Sequence, residues 1–497
     1  MNLLLPAILA CLVIHIYASF GATENHHQSS RSGLGISASV VERDGVKHTI
    51  FNHKATGSKI DFVTNSGICE TTPGVNQYSG YFSVGTNSSY FFWFFEARHN
   101  PETAPLAAWF SGGPGCSSML GLFQENGPCQ FYDGSLTPSL NPYSWNEYAN
   151  MLYIDQPAGT GFSYELGETA SSVTCDDDEF CQPTGVINTT VEVNSTVSAA
   201  PFVWKFVQAF FQQFPQYENR DFGIFTESYG GHYGPEFTHY FKQQNEAIEK
   251  GTVIGEKVDL VALGINNGWY DSVIQERQEI EFYYKNSYYP LINESTYYSL
   301  INGYNEQCLP ALMKCTGAYG SGLDFACMEA DVQCSLAVDD PAGNAIDPLI
   351  DSYDIRQRGS DPIQFTPLDT YQAWLNDPAI MKAIGARGNY TECSTTNIPD
   401  QFDSTGDPAR SLLPELSEVM GNLACANEVD YDDTHVFKQK DATDYTVDGA
   451  VAGEYKVEGN LNWLRVFDSG HYVAFFQPKL ALQVFEQVMK GEQIHST

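Results

Sequence analysis

The chain has 497 residues, 42% of them apolar, with 61 acidic residues against 25 lysines and arginines and a formal net charge of −36. That length suits one large domain with insertions or two smaller ones, and the apolar share supports a sizeable core rather than a disordered chain. So acidic a surface repels polyanions; it excludes nucleic acid and anionic membranes as partners and is compatible with an acidic compartment outside the cytosol.

Residues 2–17, NLLLPAILACLVIHIY, are apolar, short for a membrane span and followed by the small residues ASFGA, so residues 1–22 are expected to be a secretory leader cleaved near Gly21–Ala22. The stretch ATENHHQSSRSG after it is polar and expected to be loose, and residues 23–67 are expected to be a polar, propeptide-like segment. Strand-type runs follow in YSGYFSVG, YFFWFFEAR, PLAAWF and NMLYIDQ, each bounded by Gly, Pro or Asn. Residues 201–214 have helical length and apolar spacing, ending before Pro215. DFGIFT and VDLVALGI then read as short buried strands. Apolar strand, helix, apolar strand is the order of a mostly parallel sheet covered on both faces, an α/β fold. From about Trp269 to Tyr390 the order breaks into aromatic stretches and a cysteine cluster, expected to be an inserted cap. LNWLRVFDSGHYVAFF returns to a strand that ends in a histidine loop.

Twelve cysteines, one of them (Cys11) in the leader, suit disulfides on the secretory route. Cys308, Cys315, Cys327 and Cys334 include no pair at the CxxC spacing of zinc sites, so two local disulfides are expected. The loop ELGETASSVTCDDDEFCQPTG lacks the spacing of a calcium-binding loop and reads as a solvated loop closed by Cys175 and Cys181. The cysteines outside the leader are odd in number, which leaves one without a partner. Sequons at Asn87, Asn188, Asn194, Asn293 and Asn389 are expected to carry N-glycans.

Residues 224–235, IFTESYGGHYGP, place Ser228 between an apolar β-type run and a helix-like stretch, with small residues close by. That is the pattern of a nucleophile elbow, with Thr226 where the first glycine usually stands. A second motif, WFSGGPGCSSMLGLFQENGP, follows the strand PLAAWF. Gly-rich turns in that place expose backbone N–H groups to a developing oxyanion, and the absence of a following Lys argues against a phosphate loop. Of the histidines after Ser228, His232 and His239 fall on the helix next to the elbow, and His495 is in the tail. His471 follows a strand in Ser-Gly-His, the chain order a base has in this fold.

Both motifs together, with GFSY at 161–164 and the late Gly-His, resemble the serine carboxypeptidases of the α/β-hydrolase fold, from about Ile68 to Pro478. The resemblance implies one catalytic domain over residues 68–497 with the cap at about 269–390. It implies Ser228 as nucleophile, His471 as base, and the N–H groups of Gly113 and Tyr229 as oxyanion hole. It implies that Trp109, Ser111, Gly112, Glu125 and Glu227 bind the C-terminal carboxylate of a peptide, with Ser111 at a position the family fills with Asn. Tyr472 is expected to shape the leaving-residue pocket. Two facing carboxyls cannot both ionise cheaply, so one keeps its proton to higher pH and can donate to a substrate carboxylate; acidic working conditions follow. The expected partners are peptides with a free C-terminus, the expected location secreted or vacuolar, and no metal or organic cofactor is implied.

The orienting Asp is missing. Relatives carry a strand and a loop like Gly-Asp-x-Asp-x-Ile-Cys-Asn-Trp before the His, whereas this chain runs from a helix-like segment into MGNLACANEV. About twenty residues are absent between Leu416 and Gly421, with a core strand and the Asp. Asp430, Asp432, Asp433 and Asp468 are the available substitutes, and none is assigned the role. Three explanations stand: a faulty gene model or splice variant of an active enzyme, a real non-catalytic binding protein, or takeover by another Asp. An esterase or acyltransferase on the same fold is the enzyme alternative.

Overall fold

PLAAWF, NMLYIDQ, DFGIFT and VDLVALGI have no polar face, and a strand of that kind must be covered on both sides. A computed structural model describes residues 10–15, 36–53, 59–84, 88–132, 135–165, 173–175, 181–183, 193–218, 220–316, 323–359, 367, 369–394, 398–419, 437 and 439–497. In it Asn150–Ile154, Leu106–Phe110, Asp221–Glu227 and Asp259–Asn266 lie side by side, all parallel and almost wholly buried. Antiparallel strands extend the sheet beyond Asn150–Ile154, in the order Ser88–Phe95, Gln77–Ser83, Lys59–Thr64, Val46–His53 and Ile36–Arg43. The fold is the mixed α/β sheet expected from the sequence, parallel at its centre.

The aromatic run in Ser88–Phe95 shows how the two layers form. Tyr90, Phe92 and Phe94 enter one core cluster, while Phe91, Trp93 and Phe95 enter the other. Alternate side chains of a strand face opposite sides, so a run with no polar residue needs two cores. The first core is closed by helices Thr196–Gln213 and Gly230–Glu249, through Phe206, Phe210, Tyr233 and Phe237. The second is closed by Pro478–Met489, through Leu480, Val484, Phe485 and Val488. Each fully buried ring contributes about 2 kcal/mol of hydrophobic stabilisation. The helix expected to start at Pro201 starts at Thr196 instead, because Ser195 and Ser198 form a reciprocal capping box ahead of the proline.

Three parts differ from the sequence reading. The segment 23–67, expected to be polar and propeptide-like, supplies the three outermost strands from Ile36 to Thr64, and Ile50, Phe51, Ile60 and Phe62 are core residues, while its stretch TENHHQSSRSG, expected to be loose, lies outside the described residues. Buried Asp61 fastens them: it pairs with Arg43 and Arg387, and His48 Nδ1 lies 2.8 Å from it. The cap is narrower than 269–390. Helices Ser272–Lys285, Glu294–Gly303, Leu309–Cys315 and Asp324–Cys334 share a core of their own, held by disulfides Cys308–Cys334 and Cys315–Cys327. Thr370–Leu375 and Pro378–Ile384, by contrast, bury Tyr371, Leu375 and Ile384 in the main core.

The third difference concerns the leader. Ala10–His15 forms a strand between Asp259–Asn266 and Leu461–Val466, antiparallel to both. Those two flanking strands therefore point the same way with one strand's width between them. Two facing rows of unpaired backbone N–H and C=O groups accept any extended apolar segment, and the leader's run ACLVIH is one. Helix Leu413–Val419 ends just before 420–436, which lie outside the described residues. Beyond the slot, Leu461–Val466 continues antiparallel into Ala450–Glu458 and Thr443–Val447.

Candidate active site

Ser228 follows the last residue of the Asp221–Glu227 strand and precedes Tyr229, the N-cap of helix Gly230–Glu249. Its φ is 61°, in the left-handed region that a serine adopts only where its surroundings impose it. They do: Ser228 N–H donates to Asn266 O (3.0 Å), and Ser228 O accepts from Gly231 N and Trp269 N, both at 2.9 Å. The Gly-rich turn lies directly against this elbow. A Cβ on Gly112 would stand 2.4 Å from Tyr229 N and 2.9 Å from Ser228 Cβ, and Gly113 has a φ of 112°. Disulfide Cys116–Cys393 and buried Asp155 fix the turn from behind; Asp155 accepts from Ser117 Oγ (2.6 Å) and Ser118 N (3.0 Å).

Beside the elbow two carboxyls meet away from water. Glu125 caps helix Met119–Gln124 and is 1% exposed; Glu227 is 2% exposed. Glu227 Oε2 accepts from Asn266 Nδ2 at 2.6 Å, whereas no described donor meets hydrogen-bond geometry at either oxygen of Glu125, whose polar neighbours are the Glu227 carboxyl and the Ala474 amide. Burial pushes both carboxyls up, and the charge of Glu227 pushes Glu125 further. A cavity of about 40 Å³ runs alongside, lined by Trp109, Glu125, Phe225, Ile265 and Val473. Trp109 Nε1 donates to Ser111 Oγ at 3.2 Å, which leaves the Ser111 hydroxyl proton free to point elsewhere. His471 reaches the same place: its Nε2 is 4.0 Å from Glu227 Oε1. Its backbone is clamped, with N donating to Tyr353 O (2.8 Å) and O accepting from Asn267 Nδ2 (2.7 Å). Burial lowers its pKa to about 4, so the ring is neutral and able to take a proton in mild acid.

A strained serine, a glycine turn pressed on it, a histidine and an acid pair form the set an acyl-transfer enzyme uses on a carboxylate-bearing substrate. Comparison with known proteins agrees. The family model for serine carboxypeptidase matches residues 67–491. The chain belongs to the serine carboxypeptidase family. It is 50% identical to carboxypeptidase S1 of Penicillium janthinellum over 457 residues, covering 88% of this chain and all of that one. It is 31% identical to a carboxypeptidase Y homolog of Arthroderma benhamiae, covering 85% of this chain and 77% of that one. The solved structure of Kex1Δp, a prohormone-processing carboxypeptidase from Saccharomyces cerevisiae, superposes with a TM-score of 0.64 at 19% identity, covering 87% and 96%; it shares the fold.

Against the set expected of a serine carboxypeptidase, one member has no counterpart among the described residues. Among the described residues no carboxylate hydrogen-bonds the His471 ring, and Glu227 is the only one within 4.0 Å of it. Asp468 is exposed, at a turn, and close enough to Arg356 to act on it. Asp430, Asp432 and Asp433 lie outside the described residues. His232 is not free to act as base, because both ring nitrogens lie against backbone carbonyls, Trp269 O at 2.5 Å and Asp407 O at 3.1 Å. Tyr472 stacks on Tyr353 with ring centroids 5.8 Å apart.

Three supporting residues went unnoticed in the sequence. Asn266 holds Glu227, Asn267 holds His471, and Asp407, fully buried, accepts from Tyr229 Oη at 2.6 Å and from Thr196 N at 3.0 Å. The two asparagines end a parallel strand at its carboxyl edge, where such sheets place ligands, and that position was a usable signal. Asp407 gave none. Of the sequons, Asn293 and Asn389 are exposed, Asn194 is half-buried, and Asn87 and Asn188 lie outside the described residues. Among the described residues no cluster could hold a metal ion and no helix is long and apolar enough to cross a membrane.

Proposed function

We infer that this serine carboxypeptidase binds the free C-terminus of a peptide at Glu125 and Glu227 and releases the last residue through an acyl-enzyme on Ser228, at acidic pH. Ser228 Oγ attacks the scissile carbonyl while His471 takes its proton; the oxyanion receives N–H donors from Gly113 and Tyr229, and the dipole of helix Gly230–Glu249 adds to them. His471 passes the proton to the leaving amine, and water then repeats the sequence on the acyl-enzyme. One observation carries the reading: the Glu125 and Glu227 carboxyls are buried face to face beside the elbow, and among the described residues only the Glu227 carboxyl and the Ala474 amide act on Glu125, an arrangement that a substrate carboxylate completes. Neutral Glu125 donates to a substrate carboxylate, helped by the Ser111 hydroxyl, the Trp109 indole and the Gly112 amide. The leader-like residues 1–22 and the sequons support a secreted or vacuolar location, with N-glycans at the exposed sequons.

Hydrolysis of an N-blocked dipeptide at about pH 5 tests this. Release from the free acid and none from its C-terminal amide is expected; equal release from the two sinks the carboxylate anchor.

The bare His471 ring supports a second reading, a binding protein with impaired catalysis. In other enzymes loss of the orienting Asp costs about 10⁴ in rate. The match to carboxypeptidase S1 spans 457 positions but draws on 88% of 497 residues, so about twenty of them have no counterpart here. That agrees in size with the stretch missing between Leu416 and Gly421, and the slot filled by Ala10–His15 is one strand wide. Sequencing the transcript across the codons for Glu415–Gly421 separates the readings. In-frame extra sequence makes this an incomplete gene model of an active enzyme; a transcript identical to the chain leaves the binding protein, an Asp from 430–433, or an esterase or acyltransferase of the same fold.

A further inference from the structure

The Tyr229 amide, on the reading above, receives the oxyanion, so the direction of that N–H bears directly on the rate. Tyr229 is the N-cap of helix Gly230–Glu249, yet its side chain makes no capping bond. The side chain is used elsewhere. It is buried, its ring stacks on that of His232 with centroids 4.6 Å apart and 16° between the planes, and it meets Phe402 edge-on. Its hydroxyl donates to Asp407 Oδ2 at 2.6 Å. At its other end the Tyr229 amide backs onto the Gly-rich turn, where a Cβ on Gly112 would stand 2.4 Å from it. Tyr229 is therefore fixed between a turn it cannot approach more closely and a carboxylate that holds its far end.

Asp407 is itself held from several sides. Its side chain is fully buried; Oδ1 accepts from Thr196 N (3.0 Å), and Oδ2 accepts from Thr196 Oγ1 (2.5 Å) as well as from Tyr229. Thr196 opens helix Thr196–Gln213, and the N-terminus of a helix favours a negative charge. That helix already has a cap in the Ser195–Ser198 box, so capping alone does not account for Asp407. The backbone around Asp407 is tied to the elbow. Trp269 Nε1 donates to Pro408 O (3.0 Å), and Trp269 N donates to Ser228 O (2.9 Å). A closed circuit thus runs from Ser228 through Trp269, Pro408, Asp407 and Tyr229 back to Ser228. Gly406, with a φ of 64°, seats the same loop on the cap: a Cβ there would stand 2.1 Å from Cys327 C in helix Asp324–Cys334.

We propose that Asp407 is a positioning residue of the oxyanion hole: through the Tyr229 hydroxyl it fixes the direction of the Tyr229 N–H, without touching substrate or the reacting atoms. The proposal rests on the assignment of that N–H to the oxyanion hole made above. A carboxylate this far from water is costly unless donors complete it, and one of its donors is the side chain of the residue whose amide meets the oxyanion. Bonds to a carboxylate are also stronger than those between neutral groups, which makes the tether stiff.

The test measures labelling of Ser228 by a fluorophosphonate and by its thiophosphoryl analogue, on the full chain and on Tyr229→Phe, Asp407→Asn, the two combined, and Thr196→Val. The phosphoryl oxygen takes the place of the oxyanion, whereas sulfur is a weak acceptor. The ratio of the two rates therefore reads the oxyanion hole, cancels changes in the reactivity of Ser228 itself, and needs no turnover. The parent is expected to favour the oxygen reagent well beyond the ratio that a small alkoxide shows in solution. Tyr229→Phe keeps the ring and the amide and removes only the hydroxyl; it is expected to lower the ratio about tenfold. Asp407→Asn is expected to lower it by about as much, and the double variant no further, because the second change acts through the first. Thr196→Val leaves Thr196 N–H to hold Asp407, and is expected to lower the melting temperature without moving the ratio. Circular dichroism checks each fold, and Tyr229→Phe alone decides the matter where Asp407→Asn does not fold. A folded Tyr229→Phe with the parent's ratio, equal slowing of both reagents, or additive losses in the double variant overturns the proposal while a discriminating parent leaves the oxyanion-hole assignment standing. A parent ratio no larger than that of the alkoxide overturns the assignment and the proposal with it.

Discussion

Gly230→Ala is a small change with a large expected effect. The Cβ it adds would stand 2.5 Å from Thr226 Cβ and 2.9 Å from Thr226 Oγ1. Carbon atoms pack at about 3.5–4.0 Å, so the two segments must part by about 1 Å. One segment is the strand end that leads into Ser228, the other the first turn of the helix behind it. The Thr226 Oγ1 bond to Gly230 O (2.8 Å) ties them and is stretched in the same movement. Overpacking of this kind costs about 1–3 kcal/mol of stability, and a displacement of about 1 Å at a reacting centre costs up to about a hundredfold in rate. In the serine carboxypeptidase motif that the elbow resembles, Gly-Glu-Ser-Tyr-Ala-Gly, the methyl is on the helix side and none is on the strand side. Thr226 and Gly230 reverse that arrangement, so Thr226→Gly combined with Gly230→Ala is expected to recover most of the loss, with a coupling of about 1–3 kcal/mol. Thermal melts and the rate of fluorophosphonate labelling of Ser228 read both effects. Gly230→Ala that melts and labels like the parent, with Thr226 in place, refutes the steric argument.

pH acts on the site from two sides. Turnover is expected to fall below about pH 4 as His471 gains its proton, and to fall again as pH rises through the raised titration of the Glu125–Glu227 pair; Glu125→Gln removes the upper limb, seen in KM against pH. Stability has its own sign. Burial raises Asp155, Glu279 and Asp331 to about 7 and Glu236 to about 8. Each then binds its proton more tightly folded than unfolded, so its contribution is complete below the ordinary carboxyl range and is lost as pH rises through about 7–8. The melting temperature is expected to be higher at about pH 5 than at about pH 8, and the reverse order contradicts the burial argument. Removing residues 1–22 is expected to speed amide exchange in Leu461–Val466 and Asp259–Asn266, which lose their partner strand; unchanged exchange refutes the pairing. Asn267→Ala removes the shorter of two amide donors to the His471 carbonyl, leaving Asn266 Nδ2 at 3.4 Å, and is expected to slow labelling of Ser228 about tenfold while leaving the fold intact, checked by circular dichroism.

Much of the fold could be read from the chain because local signals agreed with the tertiary outcome. YFFWFFEAR and VDLVALGI admit few environments other than a strand covered on both faces. The elbow was legible for the same reason: Ser228 sits where an apolar strand meets a helix. Edge strands were harder. Val46–His53 does not alternate, with Lys47, His48 and Thr49 ahead of adjacent Ile50 and Phe51, and it is buried by pairing with Lys59–Thr64, whose Asp61 is held by distant Arg387. Asp407 was invisible because its partners, Tyr229 and Thr196, lie far away in sequence, and an acidic residue in a chain with 61 of them carries no signal alone. The expected gap follows helix Leu413–Val419, and residues 420–436 there lie outside the described residues. That Ala10–His15 would pair between Asp259–Asn266 and Leu461–Val466 could not be foreseen, since its apolar run states only that it is apolar.

The most direct test of the account is mass spectrometry of the Ser228 peptide after exposure of the intact chain to a fluorophosphonate, with and without a saturating peptide ligand. It asks whether the elbow serine is reactive and whether a C-terminal carboxylate guards it, and it needs no turnover. The account predicts an adduct on Ser228 that a peptide free acid prevents in mild acid and its C-terminal amide does not. No adduct on folded protein, or equal protection by acid and amide, contradicts it.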